Sequence, residues 1–228
     1  EGSYLIKETE FRENITHDGG YGTLTGVHAV IYANLGSYSN PLQIEDVVFQ
    51  GNTNHTEPYN GHLIPVIYVD GIVKLDRTSI INNTSGAGLH AWSSNINNVG
   101  DSIYSEINNS TFSNSGNYGL MFEHSGQYDT GLPVVVKNSI INNFDLNSIY
   151  LHYGYEGDIQ LDISYSLVEN EIDGIVQEDD ESVINWGEGN FDEDPQFVDS
   201  GNSDYSLVSS SPCIDTGDPT SDLDPDGS

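Results

Sequence analysis

The chain of 228 residues carries 36 acidic side chains against 5 basic ones, a formal net charge of −31 at pH 7. That balance argues against nucleic acid, whose phosphates demand lysine and arginine, and against unaided binding of acidic membranes or anionic polysaccharide; it makes cations the natural partners. Cys213 stands alone, which excludes an internal disulfide, and no apolar run approaches the length of a membrane span.

Taken in order, the chain repeats itself. A strand-like stretch leads to a large apolar residue, and three positions later comes asparagine, or once serine: Phe11/Asn14, Phe49/Asn52, Ile80/Asn83, Phe112/Ser115, Ile140/Asn143 and Leu167/Asn170. The steps between the polar members are 38, 31, 32, 28 and 27 residues. β-Branched and aromatic residues flanked by Gly, Asn and Ser predict strands over 42–49, 73–80, 105–112, 134–140 and 159–167. A second short strand is expected after each turn, over 26–29, 65–68, 88–91, 119–122, 148–151 and 174–177. Variable connections fall at 32–41, 51–63, 93–101 and 126–133, where a rigid scaffold carries specificity. The chain opens in mid-repeat at Tyr4-Leu5-Ile6, so it is expected to be a processed product or a piece of a longer protein.

A period in this range marks a solenoid, because one turn cannot bury its apolar face alone. Parallel strands stacked about 4.8 Å apart make six rungs roughly 30 Å long. The recurrent asparagines are then vertical neighbours. They form a hydrogen-bonded ladder, or they occupy left-handed turn positions that asparagine tolerates. Both readings are structural.

From about residue 185 the pattern changes. Gly189-Asn190 leads to Asp194-Pro195-Gln196-Phe197-Val198-Asp199, then Asp204-Tyr205-Ser206-Leu207, Ser211-Pro212-Cys213-Ile214-Asp215-Thr216-Gly217-Asp218-Pro219 and Asp224-Pro225-Asp226-Gly227. This run resembles the last rung of extracellular right-handed parallel β-helix repeat proteins of the broad pectate-lyase-like superfamily. The resemblance covers the whole chain by repeat pattern and about 189–227 by specific wording. It implies an all-β, single-stranded right-handed parallel β-helix of six to seven rungs over 1–184, with 185–228 as an irregular terminal rung or cap. It implies an extracellular or cell-surface setting. It does not imply one activity, since the group mixes lyases, epimerases, hydrolases and adhesins.

Alternation along the second strands predicts which side chains face outward. One expected column is His28, Ile67, His90, Met121, Tyr150 and Val176, the other Val30, Val69, Trp92, Glu123, His152 and Glu178. The central rungs thus gather His90, Trp92, Glu123, Tyr150 and His152, with Tyr153 and Tyr155 just beyond. Aromatic rings beside carboxylates and imidazoles suit a sugar, and the resemblance implies a groove on such a face. As an enzyme, His90 or His152 would abstract a proton alpha to a uronate carboxyl, Tyr150 would return one and Glu123 would orient the imidazole. The otherwise plain reading is an aromatic patch covered by a loop or another domain.

Uronate chemistry needs a cation beside the carboxylate. Only Lys7, Arg12, Lys74, Arg77 and Lys137 exist, of which Arg77 and Lys137 share a place three residues before their apolar markers, flanking Asn109. Asp222-Leu223-Asp224-Pro225-Asp226-Gly227 matches the opening of a calcium loop, with Asp222, Asp224 and Asp226 as ligands and Asp215 and Asp218 as further oxygens. The acidic runs 178–181 and 192–194 are either a second cation site or solvated turns. His17, His55, His62 and His124 are placed in loops at no metal-ligand spacing.

Two functions follow. One is a non-enzymatic surface module, structural or adhesive, that grips glycan through the Trp92/Tyr150 face and calcium at acidic turns. The other is a calcium-assisted lyase or C5-epimerase-like enzyme acting on uronates. A self-assembling filament subunit is a third alternative, because open parallel-sheet edges invite pairing with another copy or with further domains.

Overall fold

The computed structural model describes residues 4–17, 29–35, 40–55, 65–94, 104–125, 132–153, 158–178 and 180–221. The chain is an all-β parallel β-helix whose largest sheet curls through about 289°. Three strand faces recur in each coil. The first face is built by Tyr4–Arg12, Leu42–Gln50, Val73–Asp76, Ser105–Asn108, Leu132–Lys137, Ile159–Ser164 and Val183–Trp186. The far ends of the first two continue into the second face, which adds Ser79–Ile81, Thr111–Ser113, Ile140–Asn142 and Leu167–Val168. The third face is Ile31–Asn34, Pro65–Asp70, Ala87–Ser94, Tyr118–Ser125, Asn147–Tyr153 and Ile175–Gln177. The single strand expected before each marker is thus bent into two by a corner.

That corner is marked by backbone. Glu8, Asp46, Arg77, Asn109, Asn138 and Tyr165 all adopt positive φ between the first and second faces. A second column of positive φ, at Glu13, Gly51, Asn82, Asn114, Asn143 and Asn170, follows the second face. Asparagine is the side chain that best tolerates this conformation without glycine. At Gly116 only glycine fits, since φ is +102 and an added Cβ would meet the Ser85 carbonyl oxygen at 1.8 Å.

Inside, like stacks on like. Ile44, Leu75, Ile107, Val136 and Ile163 form one interior column, and Ile67, Leu89, Leu120 and Ile149 another. Phe49, Ile80, Phe112 and Ile141 form the third, so every coil contributes one apolar wall to a continuous core.

The asparagine ladder exists, and it is shorter than the sequence suggests. Asn52 Oδ1 accepts from the Asn14 N–H (3.0 Å) and Nδ2 (2.8 Å). Asn83 Oδ1 accepts from the Asn52 N–H and Nδ2, both at 2.9 Å. Ser115 ends the series, donating to the Ile80 carbonyl at 2.8 Å. Asn143 and Asn170 belong to the positive-φ column instead. The pairing explains why: Phe112 lies opposite Ile141, not Ile140, and Ile140 lies opposite Thr111 and Leu167. The identical pentapeptides Ser79–Asn83 and Ser139–Asn143 therefore sit one residue out of register, and Phe144 packs on the core where the ladder would continue. The apolar markers of the last two rungs are accordingly Ile141 and Val168.

What sets that slip is a second ladder that the sequence reading missed. Ser110 Oγ accepts from the Thr78 N–H, Ser139 Oγ from the Ser110 N–H, and Ser166 Oγ from the Ser139 N–H, each at 3.2 Å. Asn190 Oδ1 closes the series on the Ser166 N–H at 3.1 Å. These buried hydroxyls satisfy corner amides that would otherwise be orphaned. Its signal was present: a hydroxyl residue stands two positions before Phe11, Ile80, Phe112, Ile141 and Val168, with Val47 before Phe49 the exception.

The terminal segment does more than complete a rung. After the bridge of Phe191 to Leu167, it turns back over the second face. Gln50 Nε2 donates to the Ser203 carbonyl (3.2 Å), Asn82 Nδ2 to Ser203 Oγ (2.9 Å), and the Asp218 N–H to Asn138 Oδ1 (2.7 Å). The antiparallel pair Phe197–Asp199 and Asp204–Leu207 forms this strap, and Phe197 meets Tyr205 edge to face at 4.8 Å.

Candidate functional site

The third face is where the predicted residues gather, with corrected columns. Tyr32, Tyr68, His90, Met121, Tyr150 and Val176 lie in one register, and Asn34, Asp70, Trp92, Glu123 and His152 in the next, with Glu178 following. His90, Tyr150, Trp92, Glu123 and His152 are where the sequence placed them. Ile67 and Val69 are not: both are buried inside, and a one-residue slip in that rung exchanges the faces. In the first rung the strand is Ile31–Asn34, so Val30 precedes it, and His28 lies outside the described residues. The backbone of Tyr153 pairs with His124; its side chain, and Tyr155, lie outside the described residues.

Stacking on adjacent rungs makes an alternating chain of imidazole and carboxylate. His90 Nε2 lies 3.2 Å from Glu123 Oε2, His152 Nδ1 3.5 Å from Glu123 Oε1, and His152 Nε2 3.5 Å from Glu178 Oε2. Nδ1 of His152 is close enough for ionic attraction but off the line of a hydrogen bond. Tyr150 donates its hydroxyl to Glu178. Burial pushes the Glu123 carboxyl up, and the imidazoles of His152 and His90 outweigh it, holding the group down at about 2. The same contact with Glu123, opposed by burial and aided by the charges of Glu123 and Glu178, raises His152. Burial, then the Glu178 acceptor, push the Tyr150 phenol well above its ordinary range. Burial alone raises Asp70.

The rings are arranged differently from a simple stacking platform. Tyr118 and Tyr150 stack on each other with centroids 4.7 Å apart, as do Tyr32 and Tyr68 at 5.2 Å. Tyr68 meets the His90 ring edge-on. Stacked rings spend a face on each other, which leaves half-buried Trp92, between Asp70 and Glu123, as the ring best placed for a ligand.

The five cations are elsewhere and occupied. Lys7 pairs with Glu45 (3.1 Å) and Asp46 (3.8 Å), Arg12 with Glu10 (2.7 Å), Lys74 with Glu106 (3.2 Å), Arg77 with Asp46 (2.6 Å) and Asp76, and Lys137 with Asp218 (3.3 Å). Arg77 and Lys137 do not share a column, because Lys137 pairs in register with Asn108 and the equivalent of Arg77 is Asn138.

The expected calcium ligands Asp222, Asp224 and Asp226 lie outside the described residues. Among the described residues, no group of three or more His, Cys, Asp or Glu side chains is arranged to hold a metal. Asp218 is engaged by Lys137 and Thr220, which hold its carboxyl low, the Thr220 contacts foremost. Glu169 and Asp192 accept from the Asn143 and Asn170 N–H groups at 2.7 and 3.0 Å, serving the second corner. His124 is not a loop residue. It points inward from Tyr118–Ser125, fully buried, with Nδ1 2.8 Å from Ser93 Oγ. His17 and His55 sit in paired short strands. No helix among the described residues is long and apolar enough to cross a membrane. Comparison with protein-family models, with curated proteins and with solved structures gives no match.

Proposed function

We propose that this chain is an extracellular or cell-surface β-helix module, similar to those of the pectate-lyase-like superfamily, that binds a glycan on its third face in a structural or adhesive role. The observation that carries this reading is the column Asp70, Trp92, Glu123, His152 and Glu178, which lines up hydrogen-bonding groups and one indole on consecutive rungs. A repeat of about 4.8 Å is close to the advance of one sugar along an extended glycan, so one rung can serve one residue. A catalytic reading on uronates fits less well. His152 is held towards its charged form and Tyr150 towards its neutral form, its hydroxyl donating to Glu178; a base and an acid for proton abstraction need the reverse ease. Every lysine and arginine is also paired away from this face. Calcium belongs to the reading as a ligand of Asp222, Asp224 and Asp226, and a melt in excess calcium against chelator tests it: equal midpoints remove it.

A glycan array probed with wild type, Trp92→Ala and His152→Ala tests the sugar face. Signals lost in both variants support it, and signals equal across all three exclude it. Ultraviolet absorbance of an unsaturated uronate, appearing on incubation with alginate or pectate, would restore the enzyme.

A further inference from the structure

Building on the reading of the third face as a glycan site, we infer that His152 is a proton-operated clamp between neighbouring rungs of that face, and that glycan capture is switched off when the clamp loses its proton. The geometry of one ring carries this. Nδ1 of His152 faces Glu123 Oε1 on the preceding rung and Nε2 faces Glu178 Oε2 on the following one, each at 3.5 Å. A neutral imidazole has one N–H and one lone pair, so it serves one carboxylate and turns the lone pair on the other. Only the imidazolium, with an N–H on both nitrogens, suits both neighbours.

His90 is built differently. It meets a single carboxylate, Glu123, through Nε2 at 3.2 Å, and its ring lies edge-on to Tyr68. Its neutral form with the proton on Nε2 already fits that setting. The groups packed against His152 are Glu123, with His90 beyond it, on one side, Glu178 on the other and Tyr150 on its own strand. All five lysines and arginines pair with carboxylates elsewhere, so none of them replaces the imidazolium. Contact with Glu123, opposed by burial and helped by the charges of Glu123 and Glu178, accordingly raises His152 above its ordinary value.

Loss of the proton acts on the face in two ways. One carboxylate then meets a ring lone pair and is pushed away, so a ligand spanning Trp92 to Glu178 must re-order the column, which lowers affinity. The face also becomes more negative, which repels acidic sugars further. Both effects have the same sign for a neutral or an acidic glycan. Because the folded value is raised, capture is complete below it and is lost as pH rises through it.

The test follows the histidine Cε1–H signals of the whole chain by nuclear magnetic resonance from about pH 5 to about pH 9, with His152 assigned from His152→Gln. The His152 midpoint should lie above 6.5 and fall in Glu178→Gln. A midpoint at or below 6.5, or one that Glu178→Gln leaves in place, overturns the clamp. Cellohexaose and a guluronate hexamer are then titrated calorimetrically at about pH 5.5 and about pH 8.5. Whichever binds should bind about tenfold more weakly at the higher pH, as for one charged hydrogen bond. That difference should vanish in His152→Gln and persist in His90→Gln. A pH-independent affinity, or a dependence that His152→Gln keeps or His90→Gln removes, overturns the switch. Binding of neither sugar overturns the glycan face and the switch with it, while the imidazole midpoints still decide the clamp.

Discussion

On the second face the outward column of Gln50, Ile81 and Ser113 is 8, 5 and 2 % exposed, because the strap around Ser203 and Tyr205 lies across it and bonds to Gln50, Asn82 and, through Tyr205, to Asn114 and Ser113. On the third face the equivalent outward column holds Trp92, Glu123 and His152, and no described segment covers it. Both faces are products of the same repeat. The coil alone does not dictate what its outside is for: one outer face is converted into a second interior layer by the strap around Ser203 and Tyr205, while another is covered by no described segment. An outward apolar residue such as Ile81 is explained by the first fate, and a cluster of paired titratable groups by the second.

The largest expected effect lies under the covered face. Asn83→Ala removes an oxygen that accepts two bonds from Asn52 and an amide that donates to the Phe49 carbonyl, and should lower unfolding free energy by about 3 kcal/mol, measured by denaturant titration. Asn143→Gly, at φ 63, should cost nothing measurable, since glycine accepts that conformation freely. Equal losses at both sites would mean that Asn143 is a ladder member after all.

Next in size is the pH dependence of the open face. The Glu123 carboxyl is lowered in the folded state, from 4.5 to about 2, so its contribution is complete above pH 4.5 and disappears as pH falls towards 2. The gap in stability between wild type and Glu123→Gln should therefore shrink by at most about 3 kcal/mol over that window. His152 is raised, facing Glu123 from one rung, Glu178 from the other and Tyr150 on its own strand. Its contribution is complete below pH 6.5 and is lost as pH rises through its raised value. A difference from His152→Gln that grows with pH would contradict the alternating pairing.

Ile81→Ala tests the strap directly. A covered isoleucine should cost about 2 kcal/mol, whereas a solvated one would cost almost nothing. The smallest stability effect is expected at Trp92→Ala, about 1 kcal/mol or less for a half-buried outward residue, although the same change should abolish glycan binding. A large stability loss there would make the indole a packing residue and not a binding one.

Much of this was legible in the residues. Strand-rich repeats near thirty residues and the meeting of His90, Trp92, Glu123, Tyr150 and His152 followed from period and alternation. The errors share one cause. Ser79–Asn83 and Ser139–Asn143 are the same five letters, and matching letters aligned them; in space, the hydroxyl of Ser139 belongs with Ser110 and Thr78, which shifts the fifth rung by one. The same kind of slip put Ile67 and Val69 outside when Tyr68 and Asp70 are the outward pair. Paired apolar residues such as Ile80-Ile81 and paired asparagines leave the period ambiguous by one position, and only the corner hydrogen bonds choose between the registers. His124 was misplaced for a related reason, since a buried imidazole on an inward position carries no apolar signature.

By itself, the sequence determined that the chain coils, because β-branched and aromatic residues at a fixed period can be buried only by stacking one turn on the next. It also determined the charge of the surface, and with it which ligands are repelled. Tertiary structure decided the register, the reach of the asparagine ladder, the path of the strap and the pairing of Lys7, Lys74 and Lys137, since each depends on which contacts close between residues some thirty to one hundred and fifty positions apart. Such distant partners leave no mark in local spacing, and it is their geometry that sets the carboxylates of the third face on alternate rungs.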